Sequence, residues 1–309
     1  HYIKMKLGIS NTIPNIVNLP GQGGDAGLSD FKMTIDTTKP GITPSQFKLP
    51  LQTTTNNFTI YWGDTLSQTV TTVTDITHVY AVSGVYEIII EGSFSGIKFA
   101  NGGDRQKIMS IDQWGSNQWA EMEQAFRGCI NMVANYTDQP DTSLVTTMSA
   151  AFADCWVFDG IIDFDTTNLA IASNFLLRNY VFNSPITFTN TTALNTVVSF
   201  LKNCSIYNLT PNIDLSNVTD ISSMFESCTI FDQDISGFDI SSVTAATDML
   251  LLSGFSITNY NLLLPAWDAY GTSNVTFNAG TAHYSAGAPT TARDAMVLRT
   301  WVITDGGTP

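Results

Sequence analysis

The chain has 309 residues, a formal net charge of −14 and a pI near 4.3. That balance repels a nucleic-acid backbone and an anionic membrane surface, and no run of Lys or Arg offsets it locally. Hydrophobic residues at 43% allow a real core, but charged residues at 13% leave the surface to Thr, Ser, Asn and Gly, which suits β-rich extracellular or virion proteins better than cytosolic enzymes.

Residues 1–28 read as an extended arm. The stretch "NTIPNIVNLPGQGG" holds two prolines that oppose helix and strand and three glycines before the next element. It has no continuous apolar segment followed by a small-residue cleavage site, so a secretory leader is not expected. Ile13, Ile16, Val17 and Leu19 are apolar where an idle linker would be polar. They are the candidate anchoring residues, expected to order against a protein partner or another copy of the chain. The longest apolar run, "NLLLPAW" at 261–267, is too short to cross a bilayer, so no membrane insertion is expected.

Residues 29–95 alternate like strands. "FTIYWGD" (58–64) and "ITHVYAVSGVYEIIIEG" (76–92) place Trp62, Gly63, Asp64, His78, Tyr80, Gly84, Tyr86 and Ile88 in the order W-G-D, H-x-Y, G-x-Y-x-I. This resembles the PKD-type immunoglobulin-like β-sandwich, although Thr65 stands where that family usually has Gly. The resemblance implies that these residues are structural. His78 as a metal ligand or base is the alternative, with no second His nearby in sequence.

Residues 96–118 read as a cap, with Trp114 and Trp119 covering the open end of a repeat array. From 119 the chain repeats. Trp119, Met122, Phe126 and Cys129 sit at i, i+3, i+7 and i+10. The same spacing starts again at Val145, Leu169, Leu194, Val218 and Val243. At about 100° per residue these positions fall within an arc of about 80°, which predicts one short helix per repeat. Between them, sets such as Phe158, Ile162 and Phe164 predict a strand. One strand and one short helix in about 25 residues cannot bury their own apolar sides, but stacked copies can.

The segment 231–250, "FDQDISGFDISSVTAATDML", resembles the repeat of BspA-like leucine-rich-repeat surface proteins. The tail "YSAGAPTTARDAMVLRTWVITDGG" (284–307) resembles their terminal unit. The expected fold is therefore mixed: an N-terminal all-β sandwich, then an α/β leucine-rich-repeat solenoid over 119–258, closed by 259–309.

Cys129, Cys155, Cys204 and Cys228 all occupy one position of the repeat. They are expected to be free buried thiols forming a structural ladder. Pairing of Cys129 with Cys155 and of Cys204 with Cys228 is the alternative. The carboxylate pairs Asp163 with Asp165 and Asp232 with Asp234 have a spacing compatible with glycosidase chemistry, yet they fall where the repeat puts turn and capping residues. There is no Ser/His/Asp set, Walker loop or zinc motif, so no cofactor and no enzymatic activity are expected. Asp163, Thr187, Asp214 and Ser236, each between two inward apolar residues, form the candidate interaction face.

These readings lead to the expectation of a non-enzymatic structural or attachment protein on the exterior of a bacteriophage virion. Its arm would bind a capsid or tail protein, and its repeats a host-surface receptor. The alternative is a secreted bacterial BspA-like adhesin at the cell surface.

Overall fold

The computed structural model describes residues 29–52 and 56–309. The candidate anchoring residues Ile13, Ile16, Val17 and Leu19 lie outside the described residues.

Six strands lead the chain: β1 (Phe31–Asp36), β2 (Gln46–Leu49), β3 (Asn57–Tyr61), β4 (Ser67–Val70), β5 (Ile76–Val79) and β6 (Val85–Ser93). They are followed by β7 (Ile108–Gln113) and the two-residue β8 (Val133–Ala134). The main sheet has the order β4-β3-β6-β1-β7-β8, and β2 pairs with β5 in a second small antiparallel sheet. Alternating burial follows from alternating sequence, as in Phe58 and Ile60 of β3 or Phe47 and Leu49 of β2. Trp114 and Trp119 are fully buried, 5.5 Å apart and edge to face. Phe31 of β1 lies 5.5 Å from Trp119, so these rings join the first sheet to the repeats.

Beyond β8 the regular elements are few. They are the parallel pair β9 (Ile162–Asp165) and β10 (Ile186–Thr189), the short β11 (Ala245–Ala246), α1 (Ile257–Asp268), β12 (Thr276–Asn278), α2 (Ala288–Leu298) and β13 (Val302–Thr304). The last three strands form one parallel sheet, β11-β12-β13. No helix among the described residues is long and apolar enough to cross a membrane.

This corrects the expected α/β leucine-rich-repeat solenoid. Among the described residues there are two α-helices, both near the end of the chain, and the remainder is small β-sheets, turns and the two short 3₁₀ helices Arg105–Lys107 and Thr191–Ala193. The segments predicted to be helical, such as 145–155, are pairs of tight turns. Each contains two residues with left-handed backbone. The first is at Gln124, Ala150, Asn174, Ser199, Ser223 or Asp248, with φ between 54° and 58°. The second, four residues on, is at Gly128, Asp154, Arg178, Asn203, Ser227 or Leu252, with φ between 59° and 83°. A left-handed residue costs about 1–2 kcal/mol in an L-chain and ends any right-handed helix.

What offsets that cost is hydrogen bonding between repeats. The N–H groups of Met148, Ala150, Phe152 and Asp154 donate to the carbonyls of Ile171, Ser173, Phe175 and Leu177, at 2.7–3.0 Å. Val197, Ser199, Leu201 and Asn203 donate likewise to Asp220, Ser222, Met224 and Glu226. In an α-helix those donors would be spent four residues back along the same segment.

The inward side chains make a continuous core. Phe126, Phe152, Leu176, Leu201, Phe225 and Leu250 are fully buried. One ring per repeat forms a stack, Phe158, Phe182, Tyr207, Phe231 and Phe255, with centroids 5.7–6.4 Å apart and planes within 17°.

Near the start of the repeats, Lys107 and Asp104 are fully buried and paired at 3.0 Å. Lys107 also donates to the carbonyls of Thr43 and Gln46. Asp104 accepts from the N–H groups of Ile42 and Lys48. The pair is thus hydrogen-bonded on both sides, as a buried ion pair must be. Gly41 is required beside it, because a Cβ there would collide with Asp104 Oδ1 and the end of the Lys107 side chain.

Candidate functional site

Each repeat turns outward immediately after its Cys or Asn. The two residues that come next leave the core, and in several repeats they are apolar. Trp156, Val157, Tyr180, Val181, Ile206 and Ile230 are each 40–49% exposed. Register between repeats places them in two adjacent columns. Ser205 Oγ donates to the Tyr180 carbonyl at 3.2 Å, and Thr229 Oγ1 to the Ser205 carbonyl at 3.0 Å. The column of Trp156, Tyr180, Ser205 and Thr229 thus runs beside that of Val157, Val181, Ile206 and Ile230. Exposed apolar side chains gathered along one edge mark an interaction surface more often than scattered ones do.

At the Trp156 end the edge borders a shallow cavity of about 340 Å³. Asn101, Arg105, Gln106, Trp156, Arg178 and Tyr180 line it, with Asp154 among them. The Trp156 and Tyr180 rings lie 6.3 Å apart, tilted by 53°. Arg178 forks onto Asp154, with Nε 2.5 Å from Oδ1 and Nη2 3.1 Å from Oδ2. Those hydrogen bonds push the Arg178 pKa up. Arg127 shares the same carboxylate at 3.7 Å. Arg105 Nε is buried and has no hydrogen-bond partner among the described residues. Gly128 makes room for it: a Cβ there would lie 2.8 Å from Arg105 Nε and would collide with Asn101 Oδ1. Arg178 and Arg127 both pair with Asp154, and Arg105 lines the same cavity without an ion pair among the described residues, which leaves a local positive excess in a chain of net charge −14. The three arginines are far apart in sequence, so no linear cluster announces them.

A smaller cavity of about 160 Å³ lies between Lys48, Asp75, Lys98 and Asp104. Its charges are already matched, Lys48 with Asp75 at 2.7 Å and Lys98 with Glu123 at 2.6 Å.

The strand-side candidates differ in exposure and register. Asp163 in β9 is exposed and sits opposite Thr187 in β10, which is half-buried. The next repeat meets Thr187 with Asn212, not Asp214. Asp214 is exposed and Ser236 half-buried. Asp214 instead accepts the Ser216 N–H at 2.9 Å, the turn role that Asp141, Asp165 and Asp239 play in their own repeats. Ser236 N–H is held by Asp234. The Thr167 hydroxyl and N–H hold the Asp165 carboxyl below its ordinary range. Burial of Asp232 opposes ionisation, but hydrogen bonds from Ser256 and Asn259 at the start of α1 outweigh it and lower its pKa. Asp165, Asp232 and Asp234 are therefore engaged in turns and a helix start.

Cys129, Cys155, Cys204 and Cys228 are free and buried. Cys155 Sγ donates to the Phe126 carbonyl at 3.0 Å, Cys204 to Leu176 at 3.1 Å and Cys228 to Leu201 at 3.0 Å. Asn179 does the same with its Nδ2, donating to Phe152 at 3.0 Å. Burial pushes all four thiols up, Cys228 to about 12. His78 is stacked on Trp62 at 4.8 Å and contacts Asp64 at 2.7 Å, while the Tyr80 hydroxyl donates to the Trp62 carbonyl. Among the described residues no group of three or more His, Cys, Asp or Glu is placed to hold a metal.

A family model described as "Mycoplasma protein of unknown function, DUF285" matches residues 97–212 and 202–282, more than half of the chain. The chain belongs to this family. DUF285 is a BspA-like surface repeat family, and its description assigns no activity. Its match contains the whole apolar edge and the cavity beside it. It begins after β6, so the PKD-type resemblance rests on its own residues. No curated protein and no solved structure matches the chain.

The edge is hidden in the sequence because the inward spacing draws attention away from whatever lies outside it. The usable signal is an apolar residue one or two positions after each Cys or Asn, where a chain leaving the core would be expected to turn polar.

Proposed function

We propose that the chain is a non-enzymatic attachment protein displayed on the exterior of a cell or a virion. The observation that supports this reading is the row of exposed apolar side chains from Trp156 to Ile230, at two adjacent positions of successive repeats. Membership of a surface-type family and a surface poor in charge agree with it. In this reading residues 1–28 anchor the chain through Ile13, Ile16, Val17 and Leu19, to a capsid or tail protein or to another copy. Residues 29–95 act as a PKD-like spacer, and the stacked repeats turn their apolar edge toward a receptor on the opposing surface. Weak contacts multiplied over many displayed copies give firm attachment.

The test is protease shaving of intact cells or purified particles that carry the protein, read by mass spectrometry. Peptides from 128–293 are expected in the released fraction before lysis. Their recovery only after lysis contradicts surface display. Deletion of residues 1–28 is expected to move the chain from the cells or particles into the medium.

A further inference from the structure

We infer that the cavity beside Trp156 binds a sugar ring carrying a carboxylate, which makes the proposed attachment protein a receptor for acidic glycans. The inference rests on the attachment reading and gives it a ligand class. Three features of the cavity converge on that chemistry.

The first is an apolar platform. Trp156 and Tyr180 keep 46% and 43% of their surface exposed at the mouth, and exposed aromatic faces of this kind pack against the C–H faces of a pyranose. The second is charge. Asp154 is already engaged by Arg178 and Arg127, whereas Arg105 lines the cavity and makes no ion pair among the described residues. A ligand carboxylate neutralises that unpaired cation, and its two oxygens suit a guanidinium fork. The third is the remaining lining. Asn101 and Gln106 each offer a donor and an acceptor for ring hydroxyls.

Size and charge limit the alternatives. About 340 Å³ accommodates one or two sugar rings. The overall charge of −14 works against a long polyanion, whose distant charges would be repelled. A single carboxylate delivered to a local positive excess avoids that repulsion.

The test uses the full chain with glucuronic acid, N-acetylneuraminic acid and glucose as probes, followed by ligand-observed saturation-transfer NMR. Signals from one or both acidic sugars and none from glucose are expected. Arg105→Gln and Trp156→Ala are each expected to weaken that binding by about tenfold or more, with the melting transition unchanged. Equal binding of glucose, binding unaffected by Arg105→Gln, or no binding of either acidic sugar overturns the inference. So does binding of a glutamate decapeptide in place of the sugars, which would point to an acidic protein segment. Protease shaving reads display independently, so a protein found on the surface that binds no acidic sugar removes this inference and leaves the attachment reading standing.

Discussion

Asn179 occupies the position at which four other repeats carry Cys, and the two residue types share one task there. Each donates a hydrogen bond to a main-chain carbonyl of the preceding repeat, Asn179 to Phe152 and Cys155 to Phe126. Asn179 does so at a penalty, because its Oδ1 is buried without a partner. Asn179→Cys is therefore expected to be neutral or stabilising. Asn179→Ala, which strands the Phe152 carbonyl, should cost about 1–3 kcal/mol by chemical denaturation. Burial that raises the thiol pKa values also removes the reactive thiolate. Ellman's reagent should label no cysteine in the native protein and four after unfolding without reductant; two protected pairs would contradict free thiols. A second residue-scale prediction concerns Asp104, whose partner Lys107 is fully buried. Asp104→Ala leaves an uncompensated buried cation and should cost about 3–5 kcal/mol.

Local conformation at the element scale is decided by features that a spacing pattern does not contain. Apolar residues at i, i+3, i+7 and i+10 suit a helical face, but two successive tight turns of three or four residues bring the same positions inward. The inward set, Val145, Met148, Phe152 and Cys155 among them, was legible because burial depends on side-chain type. The left-handed residues were hidden because Ala150, Ser199 and Ser223 carry no mark of that conformation; Gly128 is the one glycine among them. The lining of the cavity was hidden for a different reason: Arg105, Trp156 and Arg178 come together only after the repeats stack. Ser223 gives a direct test. Its φ is 55°, so Ser223→Gly should be neutral or stabilising, and should exceed Ser223→Ala in stability by about 1 kcal/mol. A helix at this segment would reverse the order, because Ala favours a helix and Gly opposes it. Thermal melts of the two variants read the difference.

For the whole molecule, stability follows from the stacked repeats and their acidic turns. Hydrogen bonds and ion pairing hold Asp165, Asp232 and Glu123 below their ordinary pKa values, the last through Lys98. A carboxyl with a depressed folded pKa stabilises fully above its unfolded value, near 4, and loses that contribution as pH falls through the folded value. The melting temperature should therefore vary little with these groups between about pH 7 and pH 5, and fall below about pH 4. A rise in that acid range would contradict the assigned hydrogen bonds. The central claim is that the edge from Trp156 to Ile230 makes the attachment. Five of the six tryptophans are buried, and Trp156 alone is substantially exposed, so it is a clean reporter. The deciding measurement is hydroxyl-radical footprinting of the protein on its own cells or particles, before and after they adhere. Protection of Trp156, Tyr180, Ile206 and Ile230 on adhesion, with no change around Asp163 and Asp214, is predicted. Unchanged oxidation along the edge, with protection around Asp163 and Asp214 instead, would contradict it.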